Sequence, residues 1–281
     1  MYKIVKKVKL TEDIDRFEVK APLIAKKAAP GQFVVIRVCE QGERIPLTIA
    51  DYDRKAGLIS LVSMRVGKTT EMLAKLEAGD SLANVVGPLG TPSELEKFGN
   101  VVCVGGGVGI APIMPIARGL REAGNNVVSI IGARTSDDLI LEEEMDKISD
   151  QLHVCTDDGS KGFKGFVSEF LDQYIKKQKS GINRVVAIGP APMMDAVSKV
   201  TRPYRIKTIV SLNSIMVDGT GMCGACRVEV GNKTKFVCVD GPEFDGHEVD
   251  FGLLFARQKI YCPEEEQSHE LHRKECRCTG R

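Results

Sequence analysis

Four potential metal ligands stand close together near the end of the chain, at Asp218, Cys223, Cys226 and Cys238. The first three follow the x4 and x2 spacing of the ligand loop in plant-type 2Fe–2S centres, where a fourth cysteine comes later in the chain. Here an aspartate takes the first position, and eleven residues separate Cys226 from Cys238. The spacing therefore predicts a 2Fe–2S centre with one carboxylate ligand.

Two other interpretations of this loop stay open. Asp218 could cap a turn while the fourth ligand comes from Cys262, Cys276 or Cys278. The same four residues could instead hold a structural zinc ion, which would make residues 213–256 a docking module. Because a carboxylate is harder than a thiolate and can be protonated, an aspartate ligand should change the properties of an iron–sulfur centre.

A glycine-rich loop is the second group of residues that could do chemistry, and it follows the apolar strand predicted at 101–104. Missing side chains let a diphosphate approach the backbone, and a helix that begins here directs N–H groups at it. The pattern departs from G-x-G-x-x-G in its last part, where an alanine and a helix-starting proline stand. We predict a nucleotide site at Gly105, Gly106, Gly107, Gly109, Ala111 and Pro112.

Later strand ends supply further candidates at the same crevice: Arg134, Asp157, Gly189 and Pro190. An acidic residue after the second strand would favour NAD through the ribose hydroxyls, whereas an arginine could favour NADP. Arg134 stands near that point, so the choice between the two nucleotides stays open.

The first part of the chain carries two motifs that could bind phosphate. Arg44, followed by Pro46, Leu47 and Thr48 on a predicted strand, could offer a bidentate fork. Gly67, followed by Lys68, Thr69 and Thr70 at a predicted helix start, could present backbone N–H groups to pyrophosphate. Taken singly, the first motif also fits an edge strand with a surface arginine, and the second fits a turn with a threonine cap.

Apolar periodicity divides the 281 residues into four segments. Residues 1–98 predict a small antiparallel barrel, with strands at 2–10, 14–19, 33–38, 45–50, 58–64 and 81–86 and a helix at 70–75. Residues 99–212 predict an open parallel sheet covered by helices on both faces, with strands at 101–104, 127–131, 152–155, 184–188 and 207–212 and helices at 112–123, 139–148, 167–177 and 193–200. Residues 213–256 form the predicted metal segment, and 257–281 a polar tail. We expect the tail to be flexible or docked on a partner, and not a metal site, since Cys276 and Cys278 lack the usual C-x2-C spacing.

Composition excludes several classes of function. Lys and Arg number 39 against 38 Asp and Glu, which argues against binding to nucleic acid. We see no signal peptide at the start, and the most apolar run is too short to insert into a membrane. Nine cysteines in such a chain indicate thiolate ligands in a reducing cytoplasm.

The order of these motifs, including Thr156-Asp-Asp-Gly-Ser160 and Gly189-Pro-Ala-Pro-Met193, resembles the ferredoxin–NADP reductase superfamily over about residues 1–255. The most similar branch contains the electron-transfer subunit of dihydroorotate dehydrogenase and the small subunit of NADH-dependent reduced ferredoxin:NADP oxidoreductase. Four cysteine ligands are expected in the first and an aspartate ligand in the second, so Asp218 favours the second.

This resemblance implies three cofactors, namely FAD on the barrel, NAD(H) on the parallel sheet and the 2Fe–2S cluster. It places Thr48 near the reactive flavin N5 as the catalytic residue. The other implied FAD contacts are Arg44, Pro46, Leu47, Leu61, Val62, Ser63, Gly67, Thr69 and Thr70. It further implies a larger partner subunit with flavin and 4Fe–4S clusters, in a heterodimer or a dimer of heterodimers, which reacts with ferredoxin. A dihydroorotate dehydrogenase subunit and a non-catalytic nucleotide-binding or zinc-docking protein are the alternatives.

Overall fold

The computed structural model describes residues 2–178 and 181–279, those at 273 and 275–279 by their backbone alone. Two seven-stranded sheets and a two-stranded hairpin make up its β-structure within this range. The first sheet lies in the N-terminal third of the chain, and the second takes up most of the remainder.

The first sheet is antiparallel throughout, with strand order β6-β1-β2-β5-β4-β3-β7. Its strands are β1 (Tyr2–Lys9), β2 (Ile14–Lys20), β3 (Phe33–Arg37), β4 (Arg44–Asp53), β5 (Leu58–Met64), β6 (Ser81–Leu82) and β7 (Asn84–Leu89). The two edge strands, β6 and β7, are separated only by Ala83, so the sheet is nearly closed. The predicted barrel is thus confirmed.

Two details of the barrel differ from the sequence prediction. The single strand predicted at 81–86 is two strands, because β6 pairs with β1 and β7 pairs with β3 on the other edge. A short helix, α1 (Pro22–Lys27), was not predicted; a proline opens it, and Ile24 and Ala25 are buried against the barrel. The next helix, α2 (Lys68–Ala74), begins two residues before the predicted start, and Leu73 anchors it with 1% of its surface exposed.

The second sheet has the order β11-β10-β9-β8-β12-β13-β16 and is parallel except for β16. Its strands are β8 (Asn100–Gly106), β9 (Asn126–Ala133), β10 (Gln151–Thr156), β11 (Phe163–Lys164), β12 (Arg184–Ile188) and β13 (Lys207–Ser211). The helices between them are α3 (Ile110–Glu122), α4 (Glu142–Ile148), α5 (Val167–Lys177) and α6 (Ala191–Thr201), with single 3-10 turns at Gly107–Gly109, Ser136–Asp138 and Arg202–Tyr204. Buried residues of α3 and α4 belong to one apolar cluster and those of α5 and α6 to another, so helices cover both faces as predicted.

The C-terminal segment contributes one strand to the second sheet and a separate hairpin. It contains β14 (Arg227–Val230), β15 (Lys233–Phe236), α7 (Val237–Asp240), β16 (Glu243–Asp245), α8 (Phe251–Gln258) and α9 (Cys262–Thr279). Gly231 and Asn232 both have positive φ, as a tight hairpin between β14 and β15 requires. Strand β16 then adds antiparallel to β13 at the edge of the second sheet. This junction was not predicted.

The polar tail contains a helix that the sequence did not predict. Residues 262–279 form a helix, α9, that packs against α2 of the barrel. Nε2 of His269 lies 2.7 Å from a carboxylate oxygen of Glu71. The polar composition of this segment is compatible with a mostly exposed helix, because only one face needs a neighbour.

Candidate functional site

The candidate flavin-binding residues lie on two neighbouring strands of the barrel. Arg44, Pro46, Leu47 and Thr48 form the first half of β4, where Thr48 faces Phe33 of β3. Leu61, Val62 and Ser63 lie on β5, which pairs with β4 through Ile49 and Leu61. Arg44 is exposed and Thr48 half-buried, while all three β5 residues are buried. The structure thus brings both sets to one part of the barrel wall.

Ser63 carries a buried polar atom without a partner. Its hydroxyl finds no hydrogen bond among the described residues, although the side chain is only 4% exposed. Buried hydroxyls are normally paired. An orphaned hydroxyl beside strand β4 is compatible with a ligand that supplies the missing bond.

The turn before α2 holds the other candidate flavin residues. Gly67 is the N-terminal cap of α2, and no atom lies within 4 Å of the position that a β-carbon would take there. The hydroxyl of Thr70 accepts hydrogen bonds from the amides of Val66 (3.0 Å) and Gly67 (3.1 Å). Thr69 donates to the Glu43 carboxylate at 3.2 Å. Both hydroxyls therefore shape the turn, and the free space lies over the glycine.

Glu43 is a residue that sequence reasoning missed. It stands 26 positions before Thr69, and neither spacing nor residue type marks it as a neighbour of the turn. Only the fold, which brings the residue before β4 to the turn before α2, brings the two together.

The glycine loop closes tightly against the neighbouring strand end. A β-carbon on Gly109 would lie 2.7 Å from the carbonyl carbon of Ile188 and 2.8 Å from the Cα of Gly189. One on Gly106 would collide with the sulfur of Met193. Gly107 differs, because its φ is +55° and the space beside it is empty to 4 Å. Two of these glycines thus permit close packing, and Gly107 leaves an open surface.

The remaining nucleotide candidates surround this loop at the carboxyl ends of the parallel strands. Ala111 and Pro112 lie in the first turn of α3, and Pro190 caps α6. Arg134 and Asp157 are exposed at the ends of β9 and β10, where the Asp157 amide donates to the Ala133 carbonyl at 3.2 Å. Open α/β sheets bind ligands at this edge.

The barrel candidates and the nucleotide candidates adjoin each other. Strand β5 contacts the Gly107–Gly109 turn. Ala50 and Val62 of the barrel belong to the same buried apolar cluster as Ile110 and Ala111 of α3. A ligand on the outer wall of β4 and β5 would therefore lie beside a ligand on the glycine loop.

Two of the four candidate metal ligands are already in contact. The sulfurs of Cys226 and Cys238 lie 3.2 Å apart, and these residues are only 1% and 2% exposed. Burial, together with the adjacent Cys226 thiol, raises the pKa of Cys238 to about 12. Two thiolates on one tetrahedral metal at ~2.3 Å would lie about 3.8 Å apart, so a small shift would let them share an ion.

The other two candidate ligands, Asp218 and Cys223, lie at the exposed end of the same loop. The Asp218 carboxylate accepts hydrogen bonds from the amides of Thr220 (2.8 Å) and Cys223 (3.0 Å), and these bonds lower its pKa. Among the described residues, no three His, Cys, Asp or Glu side chains already converge as a metal site would need. Three thiols and one carboxylate, three of them on the loop and Cys238 in α7, nevertheless suit a binuclear iron centre, which takes two protein ligands at each iron.

The loop is held between the two sheets. A β-carbon on Gly219, whose φ is +75°, would come within 3 Å of Val35 and Leu89 of the barrel. Cys226 and Cys238 belong to one apolar cluster with Phe33 of β3 and with the residues under α5 and α6. The loop therefore contacts the barrel on one side and the C-terminal part of the second sheet on the other.

The alternative ligands in the tail all lie on helix α9. Cys262 is half-buried at the start of α9, and its sulfur lies near the Gln258 carbonyl at 3.9 Å. The side chains of Cys276 and Cys278 lie outside the described residues.

Across residues 2–178 and 181–279, no helix is both long and apolar enough to cross a membrane.

Two family descriptions match consecutive parts of this chain. Residues 103–199 match the oxidoreductase NAD-binding domain, and residues 213–250 match the iron-sulfur cluster binding domain of dihydroorotate dehydrogenase B. The barrel preceding them completes the architecture of flavin-dependent reductases. The fold and these matches define a pyridine-nucleotide oxidoreductase with an iron–sulfur domain.

Relatives define the family more narrowly. The chain is 52% identical, over 267 residues, to the dihydroorotate dehydrogenase B (NAD(+)) electron transfer subunit homolog of Thermotoga maritima, covering 95% of this chain and 94% of the relative. It is 37% identical over 196 residues to the probable electron transfer subunit of that enzyme in Methanocaldococcus jannaschii, covering 69% and 73%. The chain belongs to the family of dihydroorotate dehydrogenase B electron transfer subunits and their homologs.

Solved structures agree with this assignment. A chain from the NADH-dependent reduced ferredoxin-NADP oxidoreductase, studied for flavin-based electron bifurcation, is 51% identical, with a TM-score of 0.91 and coverage of 96% of this chain and 97% of that one. Phthalate dioxygenase reductase shares the fold alone, at 18% identity and a TM-score of 0.59 over 89% and 97% of the two chains.

Proposed function

We propose that this chain is the small electron-transfer subunit of an NADH-dependent ferredoxin:NADP oxidoreductase. It would exchange electrons with NAD(H) at FAD and relay them through a 2Fe–2S centre to a larger subunit. The observation that carries the proposal is the contact of strand β5 with the Gly107–Gly109 turn, which puts the flavin and nucleotide candidates side by side. The 51% identity to a chain of such an oxidoreductase supports the choice of complex.

The nucleotide would lie on the open surface at Gly107, with its pyrophosphate against the backbone of Gly105, Gly106 and Gly109. Helix α3 begins there and directs its first N–H groups at the phosphates. Ala111 and Pro112 shape that first turn, and Gly189 and Pro190 would border the nicotinamide. Arg134 and Asp157 are exposed at the next strand ends, within reach of the ribose side.

Thr48 would lie near the reactive edge of the flavin ring, and β5 would run beside the flavin through Leu61, Val62 and Ser63. The unpaired Ser63 hydroxyl and the empty space at Gly67 are the two features that fit FAD. Arg44 would approach its phosphates from β4, with Pro46 and Leu47 fixing the strand and Thr69 and Thr70 the turn. When bound, this pair of cofactors supplies hydride transfer between nicotinamide C4 and flavin N5, and the chain's own residues orient both rings.

Asp218, Cys223, Cys226 and Cys238 would hold the 2Fe–2S centre. The backbone amides of Thr220 and Cys223 keep the Asp218 carboxylate in its anionic form, which is the form that binds a metal. The centre would therefore lie close to the barrel wall, which Gly219 of the loop contacts. It would be the last cofactor of this chain before electrons pass to the partner.

The partner would be a larger subunit with flavin and 4Fe–4S clusters, in a heterodimer or a dimer of heterodimers, and ferredoxin would react at that subunit. We assign the complex to the cytoplasm, because nine cysteines in a chain of this length suit thiolate ligands in a reducing compartment. In this scheme the barrel is residues 1–98, the nucleotide part 99–212, the metal part 213–256 and the tail 257–281.

Anaerobic purification of the native complex tests the proposal. We expect one FAD, two irons and two acid-labile sulfides per chain, NADH-dependent dye reduction, and a large partner that reduces ferredoxin. Zinc without sulfide, or a chain without flavin, would contradict the proposal.

Electron transfer to dihydroorotate dehydrogenase is the second candidate function. The matched iron–sulfur domain and the Thermotoga relative both carry that enzyme's name. A co-purifying subunit that oxidises dihydroorotate would select this alternative.

A further inference from the structure

The barrel and helix α3 are joined by a two-pronged ion pair that the proposed chemistry does not use. Nη2 of Arg118 lies 2.5 Å from Oδ1 of Asp51, and Nη1 lies 3.2 Å from Oδ2. Both side chains are 35% exposed, so water screens the pair only in part. A planar guanidinium that meets both carboxylate oxygens fixes orientation as well as distance.

An irregularity in β4 directs Asp51 towards α3. Ile49 pairs with Leu61, but Asp51 pairs with Ser60, so two steps along β4 match one step along β5. Such a bulge bends the strand and re-aims the side chains beside it. The extra residue, Ala50, is 2% exposed and belongs to the apolar cluster of α3. The strand is therefore shaped at this point to meet the helix.

The pair lies at the far ends of the two elements that carry the proposed cofactor sites. Asp51 follows Thr48 by three residues, or about 10 Å along an extended strand. Arg118 follows Gly109 by nine residues, or about 14 Å along a helix. Fixing Asp51 to Arg118 therefore fixes the spacing between the flavin strand and the glycine loop.

We propose that the Arg118–Asp51 pair is a clamp that sets the distance between the flavin on β4 and the nicotinamide on the α3 loop. Both are positioning residues, and neither exchanges a proton or touches a reacting atom. With both cofactors bound, a hydride with its two electrons would still pass from nicotinamide C4 to flavin N5, so that the first ring would be oxidised and the second reduced. The inference rests on the proposed function, because it assumes FAD on the barrel and NADH on the loop.

The rest of the interface should survive the loss of the clamp. The buried cluster that contains Ala50, Val62 and Ile110 remains, and Arg16 of β2 lies 3.7 Å from Glu144 of α4 in a looser ion pair. Removing the clamp should thus leave a folded chain in which the two elements are free to shift. A displacement of about 1 Å at reacting atoms can cost a hundredfold in rate.

Arg121 offers a matched control on the same helix. Its Nη2 lies 3.5 Å from Oδ1 of Asp150, and its Nη1 donates to the Lys147 carbonyl at 2.7 Å. Both partners belong to the nucleotide part, so Arg121→Met removes an arginine from α3 without affecting the barrel contact.

The test compares Arg118→Met, Asp51→Asn and Arg121→Met in the full complex. For the first two variants we expect hydride transfer to slow at least about tenfold, with a smaller change in KM and a larger isotope effect from deuterated NADH. The double variant should be no slower than either single one, since both remove the same contact. Arg121→Met should match the wild type.

Hydrogen exchange of the chain without nucleotides gives a second readout. Amides in β4 and α3 should exchange faster in Arg118→Met and not in Arg121→Met. Wild-type rates and exchange in Arg118→Met, or equal losses in Arg121→Met, would overturn the clamp. A wild-type chain without FAD would instead refute the proposed function. The exchange experiment would still show whether the Arg118–Asp51 pair holds β4 and α3 together.

Discussion

Two alanine substitutions in the glycine loop separate packing from ligand binding. Gly109 has an ordinary φ of −65°, so alanine could adopt its backbone, but the added methyl group would press on the backbone of Ile188 and Gly189. Gly107 has the opposite properties. Its φ of +55° strains alanine, yet the methyl group would meet no atom within 4 Å.

The expected magnitudes follow from these contacts. Overpacking against backbone that cannot rotate away costs about 1–3 kcal/mol, so Gly109→Ala should lower the melting temperature by about 2–12 °C in a chain of this size. Gly107→Ala adds left-handed strain of about 1 kcal/mol, or about 2–4 °C. Its methyl group would, however, occupy the proposed nucleotide surface, and nucleotide affinity should fall about tenfold, equivalent to about 1.4 kcal/mol.

Calorimetric melting without nucleotide and isothermal titration with NADH measure the two effects separately. The main loss in Gly109→Ala should be thermal stability, and the main loss in Gly107→Ala should be nucleotide binding beyond what its stability explains. A Gly109→Ala chain that melts like the wild type would refute the close approach of the loop to β12. Wild-type affinity in Gly107→Ala would mean that NADH does not lie on this surface.

Three further substitutions test other parts of the structure. Gly67→Ala should melt like the wild type, because its φ of −165° suits any residue and the space is empty, but it should release FAD about tenfold more readily in a dialysis assay. Asp218→Cys should keep the cluster and change its EPR spectrum and potential, and an unchanged spectrum would exclude the carboxylate as a ligand. Burial raises the pKa of Glu243, whose carboxylate lies 2.5 Å from the Ser93 hydroxyl. The folded chain therefore binds a proton at Glu243 more tightly than the unfolded chain does. The free energy of unfolding should decline as pH rises from about 4.3, the usual pKa of Glu, through the raised pKa of the folded state. Glu243→Gln should remove this part of the pH dependence of the melting temperature.

Local patterns predicted the elements that carry the candidate site. The parallel sheet has the predicted strands because each is a short apolar run bounded by glycine or by charged residues, and the helix after the glycine loop begins within two residues of the prediction. The family resemblance supplied the cofactors and most of the residue roles. Those roles stay predictions until the cofactors are measured.

Long-range pairing could not be predicted, for a physical reason. Asp51 and Arg118 are 67 positions apart, and each alone is an ordinary charged residue near a surface. The pairing depends on a bulge whose extra residue, Ala50, has no distinctive local pattern. Likewise, β16 joins the second sheet only because β13 leaves an edge with unpaired backbone groups, which a three-residue strand can satisfy.

Asp218 shows why the two interpretations of the metal loop need not exclude each other. Its carboxylate accepts two backbone hydrogen bonds, as a turn cap would. A carboxylate has about four lone-pair positions, so two bonds leave room for a metal. The same bonds hold the group ionised and fix its direction beside Cys223, and a ligand fixed in advance loses less entropy on binding. The turn cap would therefore prepare the ligand, and we expect Asp218→Asn, which can keep a cap, to lose iron while its melting temperature without the cluster stays close to that of the wild type. Loss of that stability in parallel with the iron would instead assign Asp218 to the turn alone.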